Sequence, residues 1–151
     1  MKKLSTALLA GAVVSLSVVA FAGAAAQGTT YKVSSTLTSR ADVPAPKSAP
    51  NAKGTFTGVY KENATGAVLT WKMTFSSLTG KALAAHIHLG KLRVAGPVLV
   101  PLCGPCLSGQ TGKVKITKAT IAAIEGGRAY VNVHTAKNAG GEIRGQIKAT
   151  G

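Results

Sequence analysis

Two histidines stand one residue apart in Ala85-His86-Ile87-His88-Leu89, and the third sits in Ala129-Tyr130-Val131-Asn132-Val133-His134-Thr135. Both segments alternate apolar with polar residues, the period of a half-buried strand. His86 and His88 therefore share one face, and His134 shares a face with Asn132 and Tyr130. Two imidazoles at this spacing reach one metal ion. A third from a neighbouring strand completes a three-nitrogen site with an open fourth position, suited to copper or zinc. Asn132, beside His134, is placed either to orient that imidazole from behind or, as a strand-face Asn, to bond a nearby turn. The same spacing also suits polar residues that face solvent or tie down loop ends. The separation of the imidazoles decides between the two, since one ion needs all three nitrogens within about 4–5 Å of each other.

Cys103-Gly104-Pro105-Cys106 has the spacing of a redox dithiol. A thioredoxin-type pair, however, sits where a strand feeds a helix, and the helix N-terminus lowers the first thiol's pKa. Here Pro101 precedes the pair and Leu107-Ser108-Gly109-Gln110 follows. A local Cys103–Cys106 disulfide clasping a loop is the simplest reading in an exported protein, worth about 1–2 kcal/mol for so short a loop. A catalytic dithiol and a thiolate metal pair stay open beside it. Only 4 Asp+Glu stand against 18 Lys+Arg, a formal net charge of +14. So few acids make paired-carboxylate hydrolysis and carboxylate calcium cages poor candidates. Asp42 has no Ser-His partner pattern around it, and no phosphate-cradling Gly loop leads into a helix. Glu142 and Arg144, two apart on one strand, are placed to pair with each other or with neighbours.

Strands must carry these groups. Over 67–75 every odd position is apolar, and from Thr70 the even positions are polar. Tyr31, Val33 and Leu37 alternate likewise, and Phe56-x-Gly58-x-Tyr60 is joined to the Trp71 strand by a turn at Asn63-Ala64-Thr65-Gly66. Further strands are expected at 83–89, 97–102, 112–117, 129–135 and 142–149, with one short helical turn at 118–125 ended by Gly126-Gly127. A Pro- and Ala-rich loop is expected over 40–53. Seven or eight short strands with Gly-rich turns imply one all-β domain, an antiparallel sandwich or barrel.

Met1-Lys2-Lys3, an uncharged run to Ala26 and the closing Ala22-Gly23-Ala24-Ala25-Ala26 have the layout of a cleaved secretory signal rather than a permanent transmembrane anchor. The expected division is a signal peptide over 1–26 and one domain over 27–151. An exported basic chain meets anionic cell-envelope or extracellular polymers or lipid headgroups rather than chromosomal DNA. The lysines are scattered with few aromatics among them, which speaks against nucleic acid. Two functions are therefore expected. The first is a non-enzymatic binding or structural module whose basic surface contacts anionic envelope or matrix components. The alternative is a copper- or zinc-binding protein that uses His86, His88 and His134, with redox or hydrolytic activity.

Four stretches carry a family resemblance: Ala85-His86-Ile87-His88, Gly96-Pro97-Val98, Gly127 through Thr135, and Gly140-Gly141-Glu142-Ile143-Arg144-Gly145-Gln146-Ile147. Together they resemble the CHRD domain, named for chordin and found singly in bacterial exported proteins, over about 30–149. The resemblance implies an immunoglobulin-like antiparallel sandwich. In chordin the domain accompanies separate cysteine-rich modules that bind growth factors. None stands in this sequence, so no growth-factor role carries over. The His-x-His strand and the closing Gly-Glu-Ile-Arg-Gly stretch are also faintly similar to copper–zinc superoxide dismutase. That family's two metal sites need more histidines than these three, and an aspartate besides. Only a single three-His site fits the count.

Overall fold

Strands form where the residues alternate. The computed structural model describes residues 28–151, and the expected signal segment, 1–26, lies outside the described residues. Nine strands run in chain order: β1 (Thr30–Thr38), β2 (Lys53–Asn63), β3 (Gly66–Ser76), β4 (Ala82–Leu89), β5 (Val98–Cys103), β6 (Thr111–Thr117), β7 (Ala129–Thr135), β8 (Ile143–Gln146) and β9 (Lys148–Thr150). One helix, α1 (Lys118–Glu125), lies between β6 and β7. It starts at Thr117, whose side chain accepts from the Thr120 N–H, and stops at Gly126.

The strands pair antiparallel in the order β5-β4-β7-β8-β1-β2-β3-β6, with β9 added to β1. The all-β antiparallel expectation holds, with the layers of the sandwich belonging to one sheet that curls back on itself like a barrel. One layer is β5-β4-β7-β8; the other is β1-β2-β3-β6 with β9. They join where Thr38 of β1 pairs with Arg144 of β8. The closing stretch expected as one strand is two. Its break at Ile147, whose N–H donates to the Ala129 carbonyl, lets the chain leave β7 and pair with β1.

Alternation sorts side chains between inside and outside. Leu37, Phe56, Leu69, Met73, Ile87, Val131, Val133 and Ile143 are wholly buried between the layers. Each large side chain so buried is worth about 1.5–3 kcal/mol. The Pro/Ala-rich segment has no strand: a 3-10 turn at Ser39–Ala41 leads into irregular chain up to Lys53. It is nonetheless anchored, because Ala49 and Ala52 enter the core and Asp42 is buried. The hairpin between β2 and β3 turns on Asn63, whose Oδ1 accepts from the Thr65 and Gly66 N–H groups.

Candidate metal centre

The face of β4, β7 and β8 turned away from the core is covered by the chain between β4 and β5. In register, His86 lies opposite Asn132 and His88 opposite Tyr130, while His134 lies opposite Ala84. His134 is thus diagonal to His86 across one strand pair, a spacing long side chains bridge. The candidate ligand nitrogens of His86, His88 and His134 all lie within 4.8 Å of one another. The structure brings together all three expected ligands.

The supports of the rings differ. His88 Nδ1 bonds the Gly96 carbonyl at 3.0 Å, and His134 Nδ1 bonds the Ala139 carbonyl at 3.0 Å. A carbonyl only accepts, so in both rings Nδ1 carries the proton and Nε2 keeps its lone pair. His86 Nδ1 lies 3.2 Å from His134 Nε2, so it donates its proton to that lone pair. His88 is 8% exposed, and its Nε2 is a buried atom with no hydrogen-bond partner. A buried polar atom left unsatisfied is costly. Its ring centroid lies 5.5 Å from that of His86 and 5.7 Å from that of His134, so a lone pair with no partner stands beside two further imidazoles.

These residues fit a metal. Two ligands of a tetrahedral site stand about 3.3 Å apart, close to the 3.2 Å between His86 Nδ1 and His134 Nε2, where an ion would take the place of the Nδ1 proton as that proton moves to Nε2, and the widest pair, within 4.8 Å, needs to close by at most about 1.5 Å. His86, with no carbonyl partner among the described residues, is the ring free to move. Burial, and then the charges of His134 and His88, hold the His86 imidazole below its ordinary 6.5. Burial lowers His134 too, against the opposing pull of its bond to Ala139. Both rings are therefore neutral at pH 7, the form that ligates. His86 and His134 are half-buried, so the cluster is reached from the solvent side, where an ion held by the three rings would keep a position for water or substrate.

Behind the histidines stands a column of stacked planar groups. Tyr130 stacks on His88 with centroids 5.0 Å apart and planes 11° apart. The Arg144 guanidinium lies over the Tyr130 ring, its central carbon 3.4 Å from the centroid. Its Nη2 donates to the Lys91 and Val94 carbonyls, both at 2.9 Å. Arginine thereby holds down the segment that brings the Gly96 carbonyl to His88. The Tyr130 hydroxyl is at 3.1 Å from the Gly96 N–H, which it accepts.

Residues 33–147 match the sequence model of the CHRD domain. The chain belongs to the CHRD family. No curated protein and no solved structure matches the chain. CHRD domains are of extracellular type, and no helix among the described residues is long and apolar enough to cross a membrane. The matched stretch contains all three histidines, the arginine column and both cysteines.

Within this CHRD domain two sequence expectations need correcting. Asn132 does not orient His134: its Nδ2 donates to Asp42 Oδ1 at 3.3 Å, and backbone carbonyls orient the rings instead. The two meet because Gly141, at φ +138°, has no side chain; a Cβ there would stand 2.3 Å from Asp42 Oδ2 and 2.4 Å from Asn132 Nδ2. Nor do Glu142 and Arg144 pair. Arg144 enters the stacked column, whereas Glu142 accepts from the Thr79 N–H, the Thr79 and Thr135 hydroxyls and the Asn138 amide. Cys103 and Cys106 are disulfide-bonded. The Cys106 N–H donates to the Ala82 carbonyl, and a turn follows rather than a helix, as a loop clasp requires.

Tyr130, Gly96, Ala139 and Arg144 are the supporting residues that residue chemistry alone missed. Tyr130 carried a signal in its place on the histidine face of β7, and Gly96 and Arg144 only as members of the stretches that carry the family resemblance.

Glu142 fixes the loop that carries Ala139. Burial raises its carboxyl, but the four donors outweigh it and hold the group below its ordinary 4.5. A carboxylate with a lowered folded-state pKa stabilises above the unfolded value, and that gain is lost as pH falls through the folded pKa. Glu142→Gln places an amide N–H₂ against donors and is expected to cost about 2 kcal/mol at pH 7. In denaturant titrations the gap to the parent protein should shrink below pH 4.5; a gap unchanged at pH 3 would contradict the ionic role.

Proposed function

We propose that this CHRD domain is an exported copper- or zinc-binding protein with His86, His88 and His134 as its ligands. The observation that carries the reading is the convergence of their nitrogens within 4.8 Å, one of them buried without a partner. When bound, the ion would supply Lewis acidity or, as copper, one-electron chemistry at an open coordination position. The chain's own part is to hold three imidazoles in place, with burial keeping His86 and His134 neutral. The Gly96 and Ala139 carbonyls keep the protons on the far nitrogens of His88 and His134, and the Arg144–Tyr130 column braces the His88 ring. Export rests on the signal-like segment over 1–26 and on the family's extracellular type.

Metal loading tests this. Protein purified without a polyhistidine tag, stripped with chelator and titrated with Zn²⁺ or Cu²⁺, is expected to take up one ion per chain by elemental analysis. Protein that retains neither ion after gel filtration sinks the reading. A second function, contact with anionic envelope or matrix components, is supported by where the lysines gather, on a face remote in register from the histidines.

A further inference from the structure

The outer face of the β9-β1-β2-β3-β6 layer carries two ranks of side chains set by strand register. One rank runs Thr150, Lys32, Val59, Thr70, Lys113. The next runs Lys148, Ser34, Thr57, Lys72, Thr111. All ten residues are exposed. Each rank has two lysines three strands apart, about 14 Å at the usual strand spacing, with hydroxyls or Val59 between them. Lys115, beside Val68, extends the basic edge.

No carboxylate neutralises this face. Asp42 and Glu142 are buried within the other layer's polar cluster, Glu125 accepts from the Tyr60 hydroxyl, and Glu62 pairs with Lys118. None of Lys32, Lys72, Lys113, Lys115 and Lys148 ion-pairs among the described residues. Between the ranks lies a groove of about 580 Å³, floored by Gly58 and Trp71 and walled by Lys32, Lys72 and hydroxyls.

We propose that this face binds an extended anionic polysaccharide, with the lysines on its carboxylate or sulfate groups and the Thr and Ser hydroxyls on its sugar hydroxyls. A hydroxyl both donates and accepts, which suits sugars. Nucleic acid is disfavoured because no aromatic ring is exposed on these ranks to stack a base. A bilayer is disfavoured because Val59 and Val68, at 43% and 48% exposure, are the large apolar side chains it offers for insertion. The inference stands apart from the metal reading, since it uses no residue of that site.

The purified protein is expected to bind polygalacturonate at low salt, with affinity falling as salt rises, and to bind neutral dextran far more weakly. A Lys32→Gln/Lys72→Gln/Lys113→Gln variant should lose about tenfold or more in affinity, because it removes charge from both ranks. A Lys47→Gln/Lys81→Gln/Lys91→Gln variant makes the same change in net charge elsewhere and should lose less than about threefold. Both variants replace exposed side chains, and thermal melts check that both stay folded. Equal losses in the two variants, absent binding, or tighter binding to anionic phosphatidylglycerol vesicles or single-stranded DNA would overturn the proposal. Zinc uptake by the first variant should equal the parent's, so failure here and failure of the metal reading are separable.

Discussion

Replacing His88 by alanine is expected to weaken zinc or copper binding by about 10²–10³-fold, some 3–4 kcal/mol. The ring is the best prepared of the three. Its Nδ1 is occupied by the Gly96 carbonyl, its face by Tyr130, and its Nε2 is buried without a partner. Losing it leaves two ligands, and a two-imidazole site on an open face holds an ion weakly. His134→Ala should fall in the same range, since that ring too is set by a carbonyl. His86→Ala should lose somewhat less, because His86 is half-buried and must reorganise to ligate. Competition against a chromogenic chelator measures all three. His88 also packs, so His86→Ala, at a more exposed position, keeps the test sharp if His88→Ala destabilises the fold. Unchanged affinity in both His86→Ala and His134→Ala would exclude the three-His site.

The second large effect concerns Arg144, which is 1% exposed. Arg144→Ala is expected to cost about 3–5 kcal/mol, the range for removing one charge from a buried polar cluster. Three losses combine. The Lys91 and Val94 carbonyls lose their donor, Tyr130 loses the cation on its ring, and Asp42 loses a positive charge that favours its ionised form. Burial already raises the Asp42 carboxyl against the lowering influence of its bond to the Val43 N–H and of Arg144. The unfolding midpoint should drop by more than about 10 °C. Arg144→Lys should recover only part of this, because an ammonium cannot lie flat on a ring while reaching two carbonyls. Metal affinity should fall in the lysine variant as well, since the column beneath His88 is what it perturbs. A lysine variant as stable as the parent would show that the guanidinium plane is unimportant.

The histidine pair was legible because alternation along 85–89 is local: a period of two needs no knowledge of the partner strand. His134 was legible as a candidate on the same grounds, through the β7 alternation. Its joining to His86, across a sequence separation of 48 residues, depends on β4 pairing with β7 in one particular register. A slip of one residue would turn His134 to the other face. For Asn132 the sequence left two roles open, and register and the missing side chain of Gly141 delivered it to Asp42 rather than to His134. The carbonyls of Gly96 and Ala139, which do orient the rings, carry no signature at all. Every residue has a carbonyl, and only the chain's path decides which one meets an imidazole.

Local periodicity and turn chemistry thus determined most of the strands and the helical turn over 118–125, and the spacing of Cys103 and Cys106 favoured a clasp, since each rests on residues close together in the chain. Composition determined the sign of the charge and the shortage of acids. The tertiary structure decided the rest: where the one sheet curls, which imidazoles meet, why Arg144 lies buried on Tyr130, and how scattered lysines become two ranks on one face. Those outcomes depend on register between distant strands, a property that no short window of residues contains.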